Sequence, residues 1–174
     1  MTQGARLLTN HFREEIILPA VAFLILGADQ ISKYLVRSNL NPGDSWNPVA
    51  SLTRWVSVTH VTNTGAAFGL FKDQGSFFVV IAVIVVAAII LYYRHLPAGQ
   101  WWIKISLGLQ LGGALGNLLD RLRLGHVVDF IDFKIWPVFN VADSSIVIGV
   151  AVLAYYLLQD QGEKENSERG IQEG

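Results

Sequence analysis

The stretch GLQLGGALGNLLDRLRLGHVVDFIDFKIWPVFNVADSSI, from Gly108 to Ile146, joins two apolar segments of this sequence through a polar middle. Carboxylates occupy that middle and the edges of both apolar segments, at Asp120, Asp129, Asp132 and Asp143. Ionisable side chains at membrane depth are costly, so their presence there indicates function. We therefore expect the rest of the chain to form the scaffold that brings these carboxylates together.

The composition is typical of an integral membrane protein. Of the 174 residues, 52% are hydrophobic and only 16% are charged, and the mean hydropathy is +0.40, which is unusual for a soluble domain. The net charge of −1 offers no basic surface, so no nucleic-acid partner is expected. The sequence contains no cysteine, which excludes disulfides and thiolate chemistry, and its four scattered histidines form no zinc-binding pair.

Four apolar segments predict transmembrane helices, each of which needs about 20 residues to cross the hydrocarbon. They cover approximately residues 16–36, 76–93, 101–121 and 141–158. In the third segment, Gly108, Gly112 and Gly116 are spaced four residues apart and predict a smooth face against which another helix packs closely. Arg6 and Arg13 before the first segment would also suit a secretory signal peptide, but no small-residue cleavage site follows, so we expect that segment to remain as a span.

The polar stretches between the spans predict a small structure outside the membrane. Residues 55–62 are rich in β-branched side chains that partly alternate with polar ones, which predicts a strand. Residues 63–69 predict a turn that leads to a second short extended piece. We thus predict an α-helical integral membrane protein with four transmembrane helices and a small extramembrane β-rich segment between spans one and two. A single membrane-embedded domain would cover residues 1–174, and residues 160–174 would form a disordered polar tail.

Four spans would place both termini on one side of the membrane and the polar ends of the spans on the other. Asp29, at the end of the first span, would then converge with Asp120 and Asp143. The two sides carry nearly equal numbers of lysine and arginine, and only the higher density near the termini favours cytoplasmic termini.

Asp129 and Asp143 are the candidate chemical groups. They are fourteen positions apart (143 − 129), which would separate them by about 21 Å on one continuous helix. They can meet only if the chain turns back between them, and Trp136 and Pro137 favour such a turn. Two carboxyls in a partly desolvated site share one proton, because like charge and low dielectric each raise a pKa. Aspartic proteases use that arrangement to polarise a peptide carbonyl and to activate water.

Simpler roles remain open for the same residues. Asp129 would pair with Lys134 in a loop, and either Asp143 or Asn140 would cap the fourth span. Asp120 beside Arg121 would be a structural charge pair at a helix terminus. Asp29 and Lys33, at i and i+4 of a helix, would also form a structural ion pair.

Two other protein classes also remain open. In a proton-coupled carrier, buried carboxylates relay protons, although many carriers are built from internal repeats that this sequence lacks. In a non-catalytic assembly factor, the glycine face would serve helix association.

Five blocks of the sequence, in the family's order, resemble those of lipoprotein signal peptidase, also called signal peptidase II: DQISK at 29–33, NTGAAF at 63–68, GNLLDR at 116–121, VVDF at 127–130 and FNVAD at 139–143. Together with the spans they cover nearly the whole chain. The resemblance implies a bacterial inner-membrane aspartic endopeptidase that removes the signal peptide from lipid-modified prolipoproteins. It places the catalytic pair at Asp129 and Asp143. It implies substrate-binding or supporting roles for Asp29, Lys33, Asn63, Gly65, Asn117, Asp120, Arg121 and Asn140.

The same resemblance sets expectations for partners and location. The partners would be the prolipoprotein substrate and membrane lipid, and the protein would be a multi-pass monomer with its active site toward the outer face. No cofactor and no metal are expected.

Overall fold

Four helices correspond to the four apolar segments. A computed structural model of the protein describes residues 3–65, 75–97 and 99–172, with side chains described between Glu14 and Gln159. The helices are α1 (Gln3–Asn39), α2 (Gly75–Tyr93), α3 (Trp101–Leu124) and α4 (Val141–Gln172). Three stretches of the described residues are long and apolar enough to cross a membrane, namely Glu14–Asn39, Gly75–Tyr93 and Val141–Gln159. The third predicted span, which corresponds to α3, is not among these stretches.

The helix α3 packs against α1, α2 and α4. Its glycine face lies against α1: a Cβ added at Gly112 would sit 2.7 Å from the carbonyl oxygen of Ala22, and one at Gly116 would sit 2.5 Å from Oδ2 of Asp29. The predicted close packing is therefore confirmed, and the partner helix is α1. Because neighbouring helices cover much of its surface, α3 can carry polar residues that a lipid-facing helix could not.

The helix α4 extends beyond the predicted end of the fourth span. The sequence predicted a disordered tail over 160–174, whereas α4 continues to Gln172. Four glutamates, two glutamines, one lysine and one arginine make up eight of the fifteen residues 160–174, and their intrinsic helix propensity is high.

A three-stranded antiparallel sheet lies beside the helices, in the order β1 (Ser45–Trp46), β2 (Ser57–Asn63), β3 (Val127–Asp132). The strand predicted over 55–62 is confirmed as β2. The second extended piece predicted after residues 63–69 falls largely on 66–74, outside the described residues. The β-rich segment predicted between spans one and two supplies β1 and β2, and the sheet is completed by a strand that follows α3, namely β3. Its apolar residues, among them Val128, are buried against the end of α1.

The chain reverses direction after β3. Lys134 adopts a φ of +61°, in the left-handed region that suits a tight turn. Phe139 then pairs with Ile131, donating its N–H to the Ile131 carbonyl at 3.1 Å. The predicted reversal between Asp129 and Asp143 is thus confirmed, and it places Asn140 at the start of α4 beside β3.

Candidate active site

Buried polar side chains gather where the start of α4 meets α1, α3 and β3. Asp29 and Asn140 have no exposed surface, and Lys33 and Asp129 are each 2% exposed. Buried charges persist in proteins only where partners and hydrogen bonds compensate them. The contacts of these residues therefore define the site.

Asn140 contacts both candidate carboxyls. Its side-chain Nδ2 donates to Oδ1 of Asp129 at 2.6 Å, and its backbone N–H donates to Oδ2 of Asp143 at 3.3 Å. Its Oδ1 also accepts the backbone N–H of Asp143 at 2.9 Å. The two residues thus form a reciprocal cap at the start of α4. Of the two candidate caps, Asn140 is the one whose side chain accepts the N–H of Asp143, and the same residue also bonds Asp129.

Two further asparagines hold the remaining carboxyl oxygens. Asn63 on β2 donates its Nδ2–H to Oδ2 of Asp129 at 2.9 Å, and Asn117 on α3 donates to Oδ1 of Asp143 at 2.7 Å. The Oδ1 of Asn63 accepts the N–H of Gly65 at 3.0 Å, which fixes the amide's orientation. Each oxygen of the pair therefore accepts an N–H, and within the part of the chain that the structure describes these donors are all amide groups.

Asp129 and Asp132 lie on the same strand, but their pKa values are shifted in opposite directions. Burial raises the pKa of Asp129 to about 7, and the nearby Asp143 adds to this rise, although the amides of Asn63 and Asn140 oppose it. Burial also acts to raise the pKa of Asp132, but hydrogen bonds from Lys134 and Thr59 outweigh it, and the pKa is lowered.

The ion pair with Lys134 that the sequence suggested for Asp129 is formed by Asp132 instead. Lys134 Nζ lies 2.5 Å from Oδ2 of Asp132. Lys134 therefore lowers the pKa of Asp132 and does not lower that of Asp129.

Lys33 is the central cation of the supporting cluster. Its Nζ lies 2.9 Å from Oδ2 of Asp29, 3.0 Å from Oδ2 of Asp120 and 2.9 Å from Oδ1 of Asn117. Three acceptors satisfy the three N–H donors of an ammonium group. The predicted Asp29–Lys33 pair is confirmed, whereas Asp120 pairs with Lys33 and not with its neighbour Arg121.

The two supporting carboxyls also accept backbone N–H groups from the elements that carry the candidate pair. Asp29 Oδ1 accepts the N–H of Ala142 at 3.0 Å, and Asp120 Oδ2 accepts the N–H of Val128 at 3.2 Å. Gln30 joins them, because its Nε2 donates to Asp120 Oδ1 at 3.1 Å. Sequence reasoning missed Gln30 as a site residue, although it stands in the DQISK block.

Arg121 lies at the edge of the site. Its guanidinium carbon is 5.2 Å from the centroid of the Phe78 ring on α2, and its Nη1 donates to the carbonyl of Asn117 at 3.4 Å. Its Nε is buried and finds no hydrogen-bond partner within the part of the chain that the structure describes.

An apolar groove of about 210 Å³ runs between α2, α3 and α4, and Asn117 and Arg121 line one end of it. Since Asn117 also contacts Asp143, one end of the groove lies next to a residue that holds the candidate pair.

Every predicted site residue therefore contacts at least one other member of the set: Asp29, Lys33, Asn63, Gly65, Asn117, Asp120, Arg121, Asp129, Asn140 and Asp143. Among the described residues, no group of three or more histidine, aspartate and glutamate side chains is arranged to hold a metal ion.

Comparison with known proteins identifies a family. The sequence profile of the family described as signal peptidase (SPase) II matches residues 21–159. The protein described as lipoprotein signal peptidase from Moorella thermoacetica is 48% identical over 144 residues, covering 83% of this chain and 94% of that protein. The protein of the same description from Bacillus subtilis is 39% identical over 152 residues, covering 85% and 97%.

Two solved structures, both described as bacterial membrane enzymes, share the fold. One superposes with a TM-score of 0.78 at 32% identity, covering 84% of this chain and 90% of the other. The second has a TM-score of 0.73 at 33% identity, covering 82% and 93%.

Proposed function

This chain belongs to the signal peptidase II family, and we propose that it is an aspartic endopeptidase that removes the signal peptide from lipid-modified prolipoproteins. The observation that carries the mechanism is the contact of Asn140 with both Asp129 and Asp143. A single residue that bonds both carboxyls keeps them within reach of one substrate carbonyl and one water molecule. The raised pKa of Asp129, about 7, supports a shared proton at neutral pH.

The reaction divides acid and base work between the two carboxyls. The protonated carboxyl donates a hydrogen bond to the scissile carbonyl oxygen, while the ionised one accepts a proton from water as the water oxygen bonds to the carbonyl carbon. When the tetrahedral intermediate collapses, the carbon–nitrogen bond breaks and the leaving nitrogen takes up a proton from the pair. The products are a signal peptide with a free carboxylate and a lipid-modified chain with a free amine, and no cofactor takes part.

The supporting residues fix the positions of the pair. Lys33 holds the amide oxygen of Asn117, so that the amide nitrogen faces Asp143. Asp29 and Asp120 hold the backbone at Ala142 and Val128, each adjacent to one carboxyl of the pair. Contacts with the residues that hold or adjoin reactive groups orient those groups and keep them from rotating away.

The membrane arrangement suits a lipid-anchored substrate. We infer that α3 also spans the membrane, as the third of four spans, shielded from lipid by α1, α2 and α4, and that both termini are cytoplasmic. The pair would then lie at the outer surface of the inner membrane, at the end of the apolar groove. An apolar segment of the signal peptide could enter that groove from the bilayer and present its end to the pair.

A cleavage assay tests this function. Purified protein in lipid vesicles is given a synthetic prolipoprotein segment, either lipid-modified or unmodified, and the released signal peptide is measured. We expect release from the lipid-modified substrate only, with no effect of a chelator. A carrier or an assembly factor would release no peptide from either substrate.

Introduced cysteines test the topology, because the chain has no native thiol. A membrane-impermeant thiol reagent applied to intact cells should label cysteine at position 51 in Ser51→Cys and spare position 167 in Ser167→Cys. After the cells are broken open, both positions should react. The opposite labelling in intact cells would reverse the proposed orientation.

The pH profile tests the shared proton. The Asn63 amide stabilises ionised Asp129 and lowers its pKa, so Asn63→Ala should raise that pKa. Cleavage that requires a proton on the pair is lost as pH rises, and this loss should move to higher pH by about 0.5 to 1 unit. Thr62→Ala, which alters the exposed neighbour on β2, is the control and should leave the profile in place. A shift to lower pH in Asn63→Ala would contradict the assignment.

A further inference from the structure

Gln110 places an amide in the apolar groove. It lies on the groove face of α3, seven residues before Asn117 (117 − 110) and eleven before Arg121 (121 − 110), and all three residues line the groove. Its Nε2 donates to the carbonyl of Ser106 at 3.3 Å. Because a carbonyl can only accept, this contact fixes which end of the amide is nitrogen. Within the described part of the chain, no group donates to Oε1.

The surroundings make an unpaired amide oxygen costly. The groove walls include the apolar side chains of Phe78, Ile81 and Val85. The residue lies near the middle of α3, which is membrane depth if α3 is a span. A polar atom in hydrocarbon lacks the water that would satisfy it elsewhere. An occupant of the groove that carries an O–H or N–H donor would complete its hydrogen bonding.

We propose that Gln110 is a specificity-determining residue that hydrogen-bonds a hydroxyl or amide side chain within the apolar segment of the signal peptide. The proposal rests on the proposed function, which places that segment in the groove. The backbone of a helical substrate bonds to itself, so the donor must be a side chain. Seven residues of α3 correspond to about 10.5 Å at 1.5 Å per residue. A helical substrate that runs alongside α3 would place its polar side chain about seven residues before the scissile bond.

A serine scan of the substrate tests this inference. The substrates are lipid-modified peptides whose apolar segment is otherwise leucine and alanine, with one serine placed in turn at each position from the third to the tenth before the scissile bond. For the parent protein we expect one maximum of kcat/KM, about seven residues before that bond, about threefold to tenfold above its neighbours.

Two variants complete the test. Gln110→Met keeps the length of the side chain but removes the amide, so the maximum should disappear while cleavage of the serine-free substrate continues. Ile81→Met changes the wall of the same groove without touching the amide. Whatever the overall rate of Ile81→Met, its kcat/KM should still reach a maximum with serine at the same substrate position as for the parent protein.

The outcomes separate the two proposals. A flat scan for the parent protein, or a maximum that is equally high in Gln110→Met, overturns the role of Gln110 while cleavage itself upholds the peptidase function. Absence of cleavage for every substrate overturns the peptidase function, and the inference fails with it.

Discussion

Asp129→Asn and Asp143→Asn should each reduce signal-peptide release by about a thousandfold or more. An amide preserves the size of the side chain and much of its hydrogen bonding, but it can neither accept the proton from water nor carry the shared one. The amide contacts from Asn63, Asn117 and Asn140 would still hold an oxygen of each new side chain. Both variants should therefore remain folded and bind substrate, and the loss should appear in kcat.

The double variant Asp129→Asn/Asp143→Asn should be little worse than either single one, because groups that act as a unit are strongly non-additive. Asp132→Asn is the matched control. Asp132 stands on the same strand as Asp129 but pairs with Lys134 outside the site, so its replacement should leave most of the activity. A folded Asn variant of the pair that turns over at close to the parent rate would end the assignment.

Lys33→Met should cost the protein about 3 to 5 kcal/mol of stability, which is typical when one partner of a buried ion pair is removed. The substitution fills a similar volume but leaves two carboxylates, Asp29 and Asp120, buried without their cation. It also frees the amide oxygen of Asn117, whose nitrogen holds Asp143. Stability measured by thermal denaturation in detergent and cleavage by the surviving protein should therefore fall together.

Two comparisons separate charge from packing. Lys134→Met breaks an ion pair whose lysine is 37% exposed, and its effect should be under about 1 kcal/mol. Adding Asp29→Asn and Asp120→Asn to Lys33→Met removes the uncompensated charges and should recover part of the lost stability. If Lys33→Met were as stable as the parent protein, the buried cluster would not support the site as described.

The local pattern of the sequence was sufficient to predict the helices and part of the site. The span predicted over 76–93 differs by one residue from α2 (Gly75–Tyr93), and the predicted start of the fourth span is the start of α4. A long apolar run satisfies its own backbone as a helix wherever it lies, so composition alone was enough. The resemblance of five blocks then supplied the set of site residues.

Tertiary structure decided which of these residues touch. Asp120 stands next to Arg121 in the sequence, yet its cation is Lys33 on another helix. Consecutive helical residues point in different directions, and the glycine face of α3 lets α1 come close enough for the distant pair to form.

The strand β3 and the contact of Asn140 with both carboxyls were also beyond local reasoning. The stretch VVDFID reads equally well as a loop between two spans, and its strand partner β2 lies more than sixty residues earlier in the chain. The sequence by itself therefore determined the helices, the two candidate caps of α4 and the identity of the polar residues, because each depends on neighbours within a few positions. The pairing of those residues across α1, α3, α4 and the sheet was decided only by the fold, because hydrogen bonds and ion pairs depend on distances that no local pattern encodes.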